Sequence, residues 1–483
     1  MKKNKLFTLI LAFGFALTVY AQETENFYAT MALQDALELK NDLPDEVEIL
    51  EKYRNEAAVY MSPEAGHYVH DKVLVHGPGY IFKANKEAAI AAIKRGNIES
   101  RGALMAYTIT EDAFVNQALD VINTQNIEDH ILELEAYGTR YHNRASATQA
   151  AVDLKAKWEA MAASYGRTDV SVRLFNHVNT QMPSVIMTIE GAEIPDEYVI
   201  VGGHLDSTSN QGNNDAPGGD DDASGIATIT EATRALFEIG FTPKRTIEVM
   251  AYAAEEIGLV GSEEIAQEYS SNNVNVTSVV QFDMTNYNGS ANDISFITDY
   301  TNSELNGYLM QLLDHYNAAG SHQVTYATSL CNYGCSDHAS WNNEGYKASF
   351  PFEANFGDHN PNIHTASDTF AVSGTATHAT KFTKLCVEYL IEASKSYLLS
   401  VDDTQASTVF VAVNTTTLTY DVTAATKSFE HIALVDMQGK QVFEATLTET
   451  KGTLSLQELP SGVYVATLRT DGKDSVSKKI IVE

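Results

Sequence analysis

Acids and histidines recur in this chain directly after short apolar runs, a placement that suits metal chemistry at strand ends. His204-Leu205-Asp206 follows the apolar residues 198–201 and two glycines. An imidazole ligates a metal through one nitrogen best when the other is held as a donor, and a nearby carboxylate such as Asp206 can hold it. Alone, the pair also suits an ordinary surface turn. Gly218-Gly219-Asp220-Asp221-Asp222-Ala223-Ser224-Gly225 sets three acids in a row ahead of a helix. Adjacent carboxylates repel one another unless cations sit among them, so this is a metal loop or, more blandly, a solvated acidic loop or calcium site.

Ala254-Glu255-Glu256-Ile257-Gly258 follows another apolar run. Neighbouring glutamates diverge in direction, which lets one bind metal while the other moves protons, although at a helix start they also serve as dipole partners. Gln281-Phe282-Asp283-Met284 and, after Asn360-Pro361, Ile363-His364-Thr365 complete the set. Each piece is weak singly. Together they supply two histidines and three carboxylates, with Asp221 free to bridge, as two zinc ions sharing one carboxylate and a water require.

The elements that position these residues alternate between helix and strand from about 119 to 400. The pattern predicts a helix over 145–163, strands at 170–176, 184–190 and 198–203, a helix opening near 225, strands at 245–252 and 279–283, and a long closing helix over 377–399. Such alternation predicts an α/β domain, a mostly parallel sheet sandwiched by helices, with ligands bound at the carboxyl ends of its strands. Cys386, inside the last helical pattern, is expected to be a buried thiol.

Two flanks surround this unit. Residues 22–118 are polar and mixed, with one convincing helix at 86–95 stopped by Gly96. His67, His70 and His76 lie here, but no carboxylate or cysteine repeats with them at ligand spacing, so the stretch is expected to carry no chemistry. Beyond about 401, β-branched residues and turns predict a small β-sandwich, with Gln438-Gly439 and Asp471-Gly472 at hairpin tips. It holds no ligand cluster.

The first residues are Met1-Lys2-Lys3-Asn4-Lys5 and then an apolar run closed by Val19-Tyr20-Ala21, which predicts a signal peptide cleaved after Ala21. A membrane anchor is disfavoured, because a span needs about 20 apolar residues and polar sequence follows at once; no stable membrane insertion is expected. The net charge of −32 over 483 residues makes nucleic acid and anionic lipid poor partners. Three cysteines are few for a disulfide scaffold, but Cys331 and Cys335, four apart in an exported chain, leave a local disulfide open.

In this order, the motifs resemble those of the bacterial leucyl aminopeptidases of the MH clan of co-catalytic di-zinc exopeptidases. The likeness runs from about 130 to 370 and includes Cys331-Asn332-Tyr333-Gly334-Cys335-Ser336-Asp337-His338. It implies the zinc-exopeptidase fold and two Zn2+ per chain. Asp221 would bridge, followed by a cis peptide toward Asp222, with His204 and Asp283 on one ion and Glu256 and His364 on the other. It further implies Glu255 as general base, Asp206 as carboxylate partner of His204, and the Tyr333 hydroxyl as a donor to the oxyanion. The substrate's free amino group would reach the second metal, restricting cleavage to N-termini. Met284, Ile297, Phe350, Phe352, Phe356 and Ile363 would line an apolar side-chain pocket near the Cys331–Cys335 bridge, with His359 a departure where relatives carry an aromatic residue.

The flanks resemble, in turn, the inhibitory or folding-assisting pro-region of secreted relatives and the sorting domain of the type IX secretion route, through Leu459-Pro460-Ser461-Gly462-Val463-Tyr464 and the terminal Lys-Lys-Ile-Ile-Val. The expected organisation is a signal peptide (1–21), a pro-region (22–118), a catalytic domain (119–400) and a C-terminal sorting domain (401–483). The expected partners are peptides with a free N-terminus and the secretion machinery, and the expected location is outside the cell or on its surface. Rival readings are a carboxypeptidase or glutaminyl cyclase on the same fold, or a binding module without catalysis. A carboxypeptidase wants an arginine for the substrate carboxylate, and none stands beside the motifs after Arg245.

Overall fold

A computed structural model describes residues 26–72, 76–94, 107–210, 213–395, 410–414, 417–422, 429–436, 440–457, 459–469 and 475–482. The signal peptide and both predicted hairpin tips lie outside the described residues.

The first described unit is a surprise of the N-terminal flank. Beside the predicted helix, here α3 (Lys86–Lys94), it contains four strands, β1 (Phe27–Ala32), β2 (Val47–Tyr53), β3 (Glu56–Met61) and β4 (Ile81–Lys83), with helices α1 (Leu33–Asp42) and α2 (Pro63–Lys72). They form an antiparallel sheet ordered β2-β3-β1-β4. The sequence hides these strands because alanines, poor strand formers, fill inward positions: Ala29, Ala57 and Ala58 are fully buried. Ala29, Met31, Leu39, Val59, Met61 and Val69 make a core of the unit's own.

The central unit is built on β5 (Val170–Phe175), β6 (Ser184–Ile189), β7 (Ile194–His204), β8 (Arg245–Tyr252) and β9 (Asn275–Gln281), followed by β10 (Ile294–Ile297), β11 (Tyr326–Ser329), β12 (Ala348–Ser349) and β13 (Pro351–Phe352). One sheet runs β12-β9-β7-β8-β6-β5. Its middle is parallel, as expected, but β6 pairs antiparallel with β8, and β5 with β6, so the sheet is mixed. β8 is buried along its whole length, its charged residues included: Arg245 donates to Glu197, and Glu248 accepts from Thr188 and Tyr269. β9 starts four residues earlier than its apolar run suggested. Its polar half is buried because Thr277 donates to the Tyr198 carbonyl at 2.9 Å and the Ser278 hydroxyl meets that of Tyr389 at 2.7 Å.

Helices α4 (Asp112–Val121), α5 (Thr124–Glu135), α6 (Ala145–Ser164), α7 (Ala223–Glu238), α8 (Val260–Ser271), α9 (Ser303–Tyr316), α10 (His338–Asn343) and α11 (Thr377–Ala393) cover the sheet. The main core joins the sheet interior, from Val185 through Val201 to Val249, with Ile226 and Ile229 of α7 and Phe382, Leu385 and the buried Cys386 of α11. α7 begins where Asp222 caps it, accepting from Gly225 N at 2.8 Å. Only glycine fits at 225, since a Cβ there would stand 2.1 Å from the Phe282 carbonyl oxygen. This closeness seats the helix start against the end of β9.

The tail consists of β14 (Phe410–Asn414), β15 (Thr417–Asp421), β16 (His431–Asp436), β17 (Gln441–Thr446), β18 (Lys451–Ser455), β19 (Gly462–Arg469) and β20 (Ser475–Val482). Two antiparallel sheets, β14-β15-β18 and β17-β16-β19-β20, enclose a separate core of Leu418, Tyr420, Ile432, Leu434, Tyr464 and Leu468. This is the expected sandwich. The Tyr464 hydroxyl donates to the Pro460 carbonyl at 2.8 Å, tying the Leu-Pro-Ser-Gly turn to its strand. No helix among the described residues is long and apolar enough to cross a membrane.

Candidate metal centre

Because β7, β8 and β9 are parallel, their carboxyl ends share one edge, and the motif residues converge there. His204 closes β7, Glu255 and Glu256 follow β8, and Asp283 follows β9. Asp221 reaches in from the loop before α7 and His364 from the loop before α11. The Asp221–Asp222 peptide is cis. Asp222 ties the edge together, accepting from His204 N at 3.0 Å and Met284 N at 3.1 Å besides Gly225 N. Ala254, Met284 and His364 have φ of 57°, 55° and 56°. Left-handed backbone at residues other than glycine concentrates at functional sites, where the surroundings hold it.

Two groups of side chains result. In the first, His204 Nε2 lies 2.9 Å from Asp221 Oδ1 and 3.5 Å from Asp283 Oδ1. In the second, His364 Nε2 lies 3.1 Å from Asp221 Oδ2 and 3.4 Å from Glu256 Oε2. The two oxygens of Asp221 thus face different groups. Ligands bonded to a tetrahedral zinc at 2.0–2.2 Å sit about 3.3 Å apart, and these separations scatter around that value. Asp221 Oδ2, Asp283 Oδ1, Glu256 Oε1 and His364 Nε2 are buried without a hydrogen-bond partner. Buried polar atoms are almost always satisfied, so the donor set fits two divalent cations.

Electrostatics agree. Burial pushes Glu256 up to about 8, with the neighbouring Asp221 adding to it. Burial likewise drives Glu255 well above the carboxylate range, opposed by His204 and reinforced by Glu256. Asp221 moves the other way: burial would raise it, but His76, His204 and His364 hold it well below its usual value. Carboxylates crowded in a dry site are a charge pattern that cations relieve.

Glu255 has both carboxylate oxygens buried and unpartnered. Asp206 lies beneath this turn, accepting from Glu255 N at 3.0 Å and Glu256 N at 3.3 Å. Its carboxylate is 3.6 Å from His204 Nδ1, whereas its own carbonyl is closer, at 3.1 Å. Met284, Ile297, Phe350, Phe352 and Ile363 form one buried apolar cluster with Cys331 and Cys335, edged by Tyr333 and Phe356. The two cysteines are bonded. His359 joins the edge, its ring centroid 5.9 Å from that of Phe352 and 6.0 Å from that of Phe356, and burial lowers its pKa to about 4.

The structure overturns the reading of the N-terminal flank. His76 Nε2 lies 3.1 Å from Asp283 Oδ1 and 3.6 Å from Asp221 Oδ1, inside the first group, and His70 Nε2 lies 3.3 Å from Glu256 Oε2, beside the second. Ligand spacing along the chain could not reveal them, because their carboxylate neighbours come from residues 186 and 207 positions away. His67 joins neither group.

Sequence reasoning also missed the frame around the acidic loop. Arg140, fully buried, donates to the carbonyls of Leu134, Leu205, Pro217 and Gly218. Asp368 accepts from Asp220 N and Asp221 N at 3.2 and 3.1 Å. Asn360, before the expected His364, donates to both Asp220 and Asp368. Isolated acids and arginines of this kind carry no local pattern.

Comparison with known proteins agrees with the site. The model of peptidase family M28 matches residues 184–389. Leucine aminopeptidase 1 of Paracoccidioides brasiliensis is 32% identical over 277 residues, 54% of this chain and 69% of that protein. The chain belongs to peptidase family M28. As an M28 member it is a metallo-aminopeptidase. A probable leucine aminopeptidase of Arthroderma benhamiae is also 32% identical, over 62% of this chain and 80% of its own. These curated relatives are fungal, where bacterial ones were expected. The solved structure of the LapA aminopeptidase of Legionella pneumophila, a bacterial protein, superposes with a TM-score of 0.68 at 33% identity, covering 78% of this M28 chain and all of that one. Residues 397–483 match a secretion system C-terminal sorting domain.

Proposed function

We propose that this M28 aminopeptidase is a two-zinc enzyme, exported from the cell, that removes large apolar residues from the N-termini of peptides. The observation that carries the reading is Asp221, whose two oxygens face separate histidine–carboxylate pairs. His204 and Asp283 would hold one ion and His364 and Glu256 the other, with Asp221 shared. Zinc at these places supplies Lewis acidity and a water that ionises near neutrality.

The chain's own groups do the rest. Glu255 Oε takes a proton from the attacking water and returns it to the leaving amine, a role suited to a buried, unpartnered carboxylate with a raised pKa. The Tyr333 hydroxyl, its pKa lifted by burial and by Glu255, stays protonated and able to donate to the developing oxyanion. The cluster of Met284, Ile297, Phe350, Phe352, Phe356 and Ile363 accepts an apolar side chain and keeps water from it.

Arg140, the buried arginine at the acidic loop, gives no support to the carboxypeptidase alternative. Its donors are taken by main-chain carbonyls, which leaves it no fork for a substrate carboxylate. Export rests on the sorting-domain match and the predicted leader, and makes the secretion machinery the tail's partner. An assay with leucine p-nitroanilide and its N-acetyl derivative tests the activity. Turnover of the free amine alone is expected; equal turnover of both would contradict an aminopeptidase.

A further inference from the structure

We infer that His70 and His76 are metal ligands of a self-locked form, each filling the coordination position that a working ion must keep open. The inference rests on the two-metal reading above. With His76, the first group becomes His76, His204, Asp221 and Asp283; with His70, the second becomes His70, His364, Glu256 and Asp221. Each then offers four protein ligands. Zinc sites closed by four protein ligands are structural, whereas catalytic ones have three and leave a place for water or substrate.

The surroundings treat these histidines as ligands. His76 Nδ1 lies 2.7 Å from the Cys335 carbonyl, which fixes the proton on that nitrogen and turns the bare Nε2 to the carboxylates. Nε2 is buried without a hydrogen-bond partner. The ring of His70 stacks on that of His364, centroids 4.2 Å apart. A histidine packed among acids for stability alone would have both ring nitrogens hydrogen bonded, which His76 does not.

The same segment occupies the rest of the active site. The His76 ring lies 6.3 Å from Phe350 and 6.0 Å from Phe352, at the mouth of the apolar pocket. The Tyr333 hydroxyl donates to the His76 carbonyl and so is unavailable to a substrate. Gly77, at φ +81°, lets the backbone pass so near Cys335 that a Cβ would meet its carbonyl oxygen at 2.7 Å. Farther out, Lys83 pairs with Glu263 in a buried salt bridge, Phe82 N donates to Gly258 O at 2.9 Å and Tyr300 donates to Glu56 at 2.8 Å. Cavities of about 590 and 190 Å³ lie along this seam, lined from both sides. The joint is anchored at points and interrupted by these cavities, as suits a displaceable plug.

Stripping the full-length protein of metal and titrating it with cobalt(II) tests the inference by affinity and by the visible spectrum. Wild type should bind two ions with the intense absorption of four-coordinate cobalt. H76A and H70A should each weaken a different one of the two binding steps by at least about tenfold and shift the spectrum toward a weaker, five-coordinate form. Hydrolysis of leucine p-nitroanilide should rise by about tenfold in the double variant. H76Q and H70Q, which keep most of the side-chain volume, serve where the alanine forms do not fold. Two bound ions with affinities and spectra unchanged in all variants would overturn the inference while leaving the two-metal reading intact. Fewer than two ions in wild type would overturn both.

Discussion

The two flanks of this enzyme differ in how they meet the catalytic unit. The N-terminal module has a core of its own yet sends His70 and His76 among the proposed metal ligands. The C-terminal sandwich also has its own core, but every proposed metal ligand lies between 70 and 364. Independent folding of a segment therefore says little about whether it shares in the chemistry. What decides it is which side chains cross the boundary, and whether their partners there are polar.

The comparison assumes that bond cleavage belongs to the middle of the chain, and Glu255 tests this with the largest expected effect. Glu255→Gln keeps size and hydrogen bonding but removes the proton acceptor, so turnover should fall by at least roughly 10²-fold with both metals retained. Stopped assays paired with elemental analysis separate the outcomes. Joint loss of metal and activity would make Glu255 a ligand, and retained activity would place the base elsewhere.

Side-chain selection should come next. A buried methylene contributes about 0.8 kcal/mol, so leucyl, methionyl and phenylalanyl substrates should exceed glycyl ones in kcat/KM by one to two orders of magnitude, with acidic residues last. Comparing p-nitroanilides of these residues measures it. Faster cleavage after aspartate or glutamate would refute the pocket, and His359, neutral by burial at its edge, is the first residue to exchange for phenylalanine.

The smallest effect on catalysis is expected from the tail. Deleting residues after 401 should leave kcat/KM within about twofold, since no proposed ligand lies there, while in the native host it should keep active enzyme from the medium. Specific activity and the fraction released are the readouts. Lost activity in a folded truncation would join the tail to the catalytic unit, and undiminished release would deny it a sorting role.

Legibility in the sequence followed the same division. The central strands were readable from short apolar runs, residues 199–201 in β7 and 249–251 in β8, which are buried on both faces. Most of the motif acids and histidines were readable because they stand at a strand end or helix start; His364 sits in a loop, and only the motif order around it singled it out. The strands of the N-terminal sheet were not readable, since Ala57 and Ala58 are buried on opposite faces of β3, in two separate clusters, without the bulk that marks a strand. His70 and His76 were not, since ligand spacing works only when ligands share an element, and these meet Glu256 and Asp283 across the fold. Arg140 and Asp368, which hold the acidic loop through backbone atoms, leave no mark on the sequence beyond their own identity.

The shared carboxylate of Asp221 is the centre of the account, and metal stoichiometry tests it most directly. Fully active protein should contain two divalent ions per chain by elemental analysis, and metal-free protein should regain full activity only as a second equivalent is added. One ion or fewer in protein of full specific activity would contradict the two-metal site.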